Sequence, residues 1–148
     1  MGAAERPARR RRGAIGAAAR YLLGGFVQAR LGPGFTWGTF FVNATGPFLI
    51  GIVLVLVERG TLPSEARSFL AVGILGGYAT FSTFSYETLR LLAAGDVRGV
   101  LLNALGGLLV GLLAVYLGVA FAHTALPRRV VVGSRIATVD SFRRNSLP

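Results

Sequence analysis

The densest chemistry in the chain lies in Gly73-Ile74-Leu75-Gly76-Gly77-Tyr78-Ala79-Thr80-Phe81-Ser82-Thr83-Phe84-Ser85, where paired glycines meet Ser/Thr hydroxyls and two phenylalanines. These groups offer weak donors, backbone carbonyls and aromatic edges, not acids or nucleophiles. Paired Gly can break a transmembrane helix. Non-helical backbone at that depth is tolerated only where it is buried in protein or lines a cavity, and its free carbonyls are cation ligands. Phe81 and Phe84, three apart, share a face, and the edge of a Phe ring is electropositive. A Phe stripe alone is ordinary core. Beside a broken helix and hydroxyl donors, it suits a small, strongly hydrated anion that exchanges water for weak donors.

Asn43 places two amide donors inside the apolar run 38–51, on one face with Thr39 and Gly46/Pro47. It is either interhelical glue or part of a water- or ion-filled path. Arg20 interrupts an apolar stretch, where a cation near the bilayer centre costs about 2.5–3.5 kcal/mol. It snorkels to headgroups about one turn away, forms a cationic vestibule that attracts an anion, or does both. Glu87 with Arg90 at i+3 reads as a helix-end ion pair, and His123 as a solvated residue. There is no G-x-x-x-x-G-K-[ST], no H-E-x-x-H and no Ser/His/Asp set, so an enzyme is not expected.

The elements that must carry these residues are apolar stretches at about 13–31, 35–57, 68–92 and 99–122, each near the roughly 20 residues that span a bilayer. Gly32-Pro33-Gly34, the segment 58–67 and Gly95-Asp96 separate them, and Pro63-Ser64-Glu65 marks the start of the third helix. Trp37 and Tyr116 lie near span ends, where amphipathic rings favour the interface. The expected fold is an all-α membrane protein with four transmembrane helices and a break in the third. It divides into a basic cytoplasmic tail (1–12), a four-helix transmembrane domain (13–122) and a basic C-terminal tail without regular structure (123–148).

Composition agrees. Of 148 residues 53% are apolar and 15% charged, and the net charge of +10 rests on 16 Arg with no Lys. A soluble domain carries about 25% charged residues. With no Cys, one His and six acids, disulfides, iron–sulfur sites and the usual transition-metal sites are excluded. The basic charge sits on tails around an apolar body and not on a folded face, which argues against nucleic acid as partner. Arg9–Arg12 precede an apolar segment, but Arg20 interrupts it and no small-residue cleavage site follows, so the segment reads as a retained helix. An even helix number puts both termini on one side. That side holds twelve Arg, against Arg30, Arg90 and Arg98 opposite, so both termini are expected in the cytoplasm of a multi-pass protein of the cell membrane. The Ala, Gly and Arg content suggests a GC-rich bacterial genome.

Gly16-Ala17-x-x-Arg20-Tyr21, Gly38-Thr39-x-x-x-Asn43-x-x-Gly46 and Gly73-x-x-Gly76-Gly77-x-Ala79-Thr80-Phe81-Ser82-Thr83-Phe84-Ser85-x-Glu87 resemble the CrcB/Fluc fluoride channels, over about 13–121. The resemblance implies a four-helix subunit of an antiparallel dimer with fluoride-selective pores at the interface, and passive exit of cytoplasmic fluoride. It further implies a structural sodium ion on the carbonyls of Gly76 and Ala79. The ion path it implies comprises Phe81 and Phe84 as the aromatic pair, Asn43 as amide donor, the Ser82 and Thr83 hydroxyls, and Arg20 in the vestibule.

Two departures stand out. Ala79 replaces a usual Thr but keeps its carbonyl. After Asn103 the fourth helix reads Ala104-Leu105-Gly106-Gly107-Leu108-Leu109-Val110-Gly111, without the polar residues similar sequences carry there. Together with the Arg bias, this suggests a second subunit that is a different homologous chain, a heterodimer in place of a homodimer. The rivals are a small multidrug-resistance-like exporter, which calls for a membrane acid that 13–31 lacks, and a non-conducting membrane partner subunit.

Overall fold

The computed structural model describes residues 5–126, 129–132 and 135–138, with side chains over 13–126; among these the chain forms four helical runs and a short hairpin. Helix α1 is Glu5–Leu31 and α2 is Trp37–Glu58. The third run is split into α3, residues 64–78, and α4, Phe81–Ala93; the fourth is α5, Val97–Ala125. Three runs, Trp37–Glu58, Ser64–Ala93 and Val97–Ala125, are long and apolar enough to cross a membrane. The protein is thus an all-helical membrane protein in its described spans. As the sequence suggests, α3 starts directly after Pro63.

The ends differ from expectation. Helix α1 begins at Glu5, so most of the 1–12 segment continues the first helix. Its Arg and Ala are good helix formers, and Pro7 falls in the first turn, where a missing N–H costs little. Helix α5 runs on to Ala125. Within 123–148, where no regular structure is expected, Arg129–Val132 pairs antiparallel with Arg135–Thr138 as strands β1 and β2. The β-branched run Val130-Val131-Val132 favours strand, a signal that a search for helical period overlooks. Residues 1–4 and the rest of that tail lie outside the described residues.

Lipid tails are as apolar as Leu, so helices in a membrane associate through close packing and polar contacts. Glycines supply the closeness here. A Cβ on Gly51 would stand 2.6 Å from the Val115 carbonyl oxygen, and one on Gly118 would overlap that of Phe48, so α2 and α5 touch backbone to backbone. Gly24 and Gly38 join α1 to α2 in the same way, and Gly16 joins α1 to the Ile74 carbonyl of α3. Polar pins fix the register. Gln28 closes the α1–α2 turn, donating through Nε2 to the carbonyls of Gly32 (2.5 Å) and Phe35 (2.9 Å) and accepting from the Gly38 N–H (3.1 Å). Arg59, just past α2, donates to the carbonyls of Ala122 (2.8 Å), Leu126 (3.1 Å) and His123 (3.2 Å) and to His123 Nδ1 (2.6 Å). His123 is therefore not merely solvated: it belongs to a guanidinium cap on the carbonyl end of α5. Val42 and Ala122 are buried in the bundle, while the leucines of α5 face outward, Leu109 at 65% exposure.

Candidate functional site

The third run changes geometry before it breaks. Over Arg67–Leu75 its turns are π-helical, and after one α-turn at Gly76–Tyr78 the chain becomes extended at Ala79 (φ −75°, ψ 146°) and Thr80 (φ −140°, ψ 119°). Asn43 of α2 occupies the gap. Its Oδ1 accepts the Thr80 N–H at 2.8 Å, and its Nδ2 donates to the Thr80 carbonyl at 3.1 Å. A single amide thus replaces both halves of the interrupted ladder, which is how a membrane tolerates non-helical backbone. One Nδ2 hydrogen remains beyond the bond to Thr80. Asn43 is both glue and a cavity-lining donor.

The hydroxyl cluster converges on Thr80. Its Oγ1 lies 3.1 Å from Ser82 Oγ, donates to Thr83 Oγ1 at 3.2 Å, and accepts the Thr83 N–H at 3.3 Å as the N-cap of α4. These bonds also decide which carbonyls are free. In an unbroken helix the Gly76 carbonyl would take the Thr80 N–H and the Ala79 carbonyl the Thr83 N–H. Asn43 takes the first of these donors and the Thr80 hydroxyl the second. The carbonyl oxygens of Gly76 and Ala79 thereby lose their helical donors, as do those of Gly77 and Tyr78 between them, and hard oxygen donors of this kind fit an alkali cation. The methyl of Ala79 takes nothing from that donor set.

Two cavities meet at Thr80. One, about 310 Å³, is lined by Phe40, Asn43, Phe81, Phe84, Asn103 and Gly107 among others. The Phe81 and Phe84 rings stand 5.7 Å apart at 31°. Phe84 is half-buried, whereas Phe81 is 80% exposed on the outer wall. The other cavity, about 380 Å³, brings Arg20 together with Gln28, Thr39, Thr83 and Glu87. Arg20 therefore shares a cavity with residues near the α1–α2 turn. Glu87 accepts a hydrogen bond from Thr39 Oγ1 at 2.8 Å while Arg90 attracts it through charge, and its Oε2 is buried without a hydrogen-bond partner among the described residues.

The structure thus brings together Asn43, Phe81, Phe84, Ser82 and Thr83 around Thr80, and sets Arg20 in the adjoining cavity. Sequence reasoning missed Thr80 as the hub and Asn103 as a buried pin. Asn103, 1% exposed, accepts from Thr36 Oγ1 (3.1 Å) and donates to Thr88 Oγ1 (2.8 Å) and the Phe84 carbonyl (3.3 Å). The usable signal was the presence of Thr36, Thr88 and Asn103 in apolar spans, where each polar group needs a partner.

A bundle of apolar helices with a broken run and two adjoining cavities defines a polytopic membrane protein. The family model described as CrcB-like protein, Camphor Resistance (CrcB), matches residues 11–119. A protein named fluoride-specific ion channel FluC from a strain of Thermus thermophilus is 58% identical over 106 residues, covering 72% of this chain and 84% of that one. Its namesake in Geobacter metallireducens is 50% identical over 112 residues, 75% of this chain and 90% of the relative. The chain belongs to the CrcB family.

Proposed function

We propose that this chain is a fluoride-selective passive channel that lowers cytoplasmic fluoride. The observation that carries the reading is the junction at Thr80 of a cavity lined by Arg20 with a cavity lined by the rings of Phe81 and Phe84 and the amide of Asn43. The relatives named as fluoride-specific channels support it. Arg20 attracts the anion into the first cavity, and hydroxyls and the remaining Asn43 N–H replace part of its hydration shell. Ring edges of Phe81 and Phe84 then offer weakly positive contacts that do not trap it, since conduction needs binding loose enough to leave. Fluoride enters cells as its neutral acid and dissociates inside, so the membrane potential drives exit through a passive pore and no catalytic step is needed.

A sodium ion bound by the Gly76 and Ala79 carbonyls would offset the dipoles left by the broken ladder. Asn43 and Thr80 keep those carbonyls free by holding their usual N–H donors elsewhere. In this reading α1 is the fourth crossing helix, and the subunit pairs with an antiparallel second one that covers Phe81 and the leucine face of α5. Both termini lie in the cytoplasm of a bacterial cell, following the Arg bias. A chain with one fixed orientation pairs with a different homologous chain of the opposite orientation.

The test is fluoride efflux, by ion-selective electrode, from potassium fluoride-loaded liposomes opened with valinomycin. Efflux with this chain alone supports the channel as a homodimer and rejects the heterodimer. Efflux only with a co-expressed second subunit supports both, and none in either case rejects the channel.

A further inference from the structure

We infer that Asn103 and Gly107 of α5 are the positioning residues of Phe84, so the fourth helix acts on the ion path through packing where it lacks polar side chains. The inference rests on the fluoride-channel reading. Phe84 is held at two points. Its carbonyl accepts from Thr88 Oγ1 at 2.7 Å and from Asn103 Nδ2 at 3.3 Å, which ties its backbone to α5. Its ring lies against Gly107, where a Cβ would stand 3.2 Å from Cε2 and 3.9 Å from Cδ2.

Both amide hydrogens of Asn103 are committed, on Phe84 and Thr88, and its oxygen accepts one bond, from Thr36. At 1% exposure it cannot exchange these partners for water. It sits in the π-helical stretch Leu102–Gly106, immediately before Gly107. Wide turns of this kind are often found at functional sites, and this one places the amide and the glycine along the same Phe. The Phe81 carbonyl accepts Ser85 Oγ of its own helix at 2.9 Å, and among the described residues no bond from α5 to Phe81 matches that of Asn103 to Phe84. The aromatic pair is therefore asymmetric, with Phe84 as its fixed member and α5 as the fixing element.

The test compares Gly107→Ala with Gly106→Ala in the efflux assay, using the subunit composition that conducts. Alanine favours helix over glycine, so neither change should unfold α5, and a methyl on Gly106 meets only Phe40 Cε2, at 3.9 Å. Gly107→Ala is expected to lower fluoride efflux per folded protein, or the fluoride-to-chloride ratio, by about tenfold or more, while Gly106→Ala leaves both unchanged. Asn103→Leu is expected to do the same as Gly107→Ala, with partial return in Asn103→Gln. Para-fluorophenylalanine in place of Phe84 gives a readout independent of flux: its fluorine resonance should move in Gly107→Ala and not in Gly106→Ala. Wild-type conduction together with unchanged selectivity, rate and resonance in Gly107→Ala overturns the inference alone. A wild-type chain that never conducts overturns the channel reading and this inference with it.

Discussion

Asn43 grips Thr80 by both of its backbone groups, at 2.8 and 3.1 Å, across 37 residues of sequence. A side-chain amide has the same donor and acceptor as a peptide unit, so Asn43 serves as the missing rung of the third run. Replacing it by Leu strands the Thr80 N–H and carbonyl unless the chain re-forms a continuous helix. Asn43→Leu should cost about 1–3 kcal/mol of stability and abolish fluoride efflux. Thermal unfolding in detergent and the liposome assay check the two halves separately; a variant that conducts normally removes Asn43 from the path.

Arg20 lines the cavity that adjoins Thr80, with Thr39, Thr83 and Glu87. A cation at a cavity mouth raises local anion concentration and loses that power as salt screens it. Arg20→Gln should reduce fluoride efflux by about tenfold at low ionic strength and by less at high, with Arg20→Lys close to wild type. Efflux measured across a salt series is the check.

Arg59 makes four hydrogen bonds to the end of α5, three of them to carbonyls that have no further turn of helix to meet. Charge-assisted bonds to a helix C-terminus are among the stronger ones. Arg59→Ala should lower stability by about 1–3 kcal/mol, and His123→Ala by less, since its ring supplies one of the four acceptors. Melting curves of both variants in the same detergent test this order.

Backbone contact between α2 and α5 leaves no room for a methyl at Gly118, whereas Gly25 has open space around it. Gly118→Ala should destabilise by about 1–3 kcal/mol through overpacking, while Gly25→Ala should be neutral or slightly stabilising. The fraction of monodisperse protein after heating separates the two.

The Arg bias predicts one orientation. The chain has no Cys, so single cysteines introduced at Ser64 and at Gly34 report each end of the bundle without background. A membrane-impermeant thiol reagent added to intact cells should label the cysteine at position 34 and spare that at position 64. Equal labelling of both would signal dual insertion.

Much of the site was legible because membranes penalise polar groups. Asn43, the hydroxyls after Gly76-Gly77 and Arg20 stand out in apolar stretches, and each lies at a cavity or at the break. Gly76-Gly77 pointed to a break in the third run, but both glycines stay helical, with Gly77 packed on Gly13, and the chain opens at Ala79 and Thr80. The distant partners were not legible: Glu87 accepts from Thr39, and His123 meets Arg59, since local spacing shows only neighbours in sequence.

By itself the sequence determined the apolar spans, their short connections, the presence of an interruption in the third run and the asymmetry of charge, all consequences of local composition against a hydrocarbon solvent. Only the tertiary structure decided which carbonyls the break releases, that Thr80 is the hub of the hydroxyls, and that Asn103 and Gly107 hold Phe84. These depend on which helix faces which and at what height, and that register is set by glycine contacts and side-chain bonds between residues 37 or 67 positions apart.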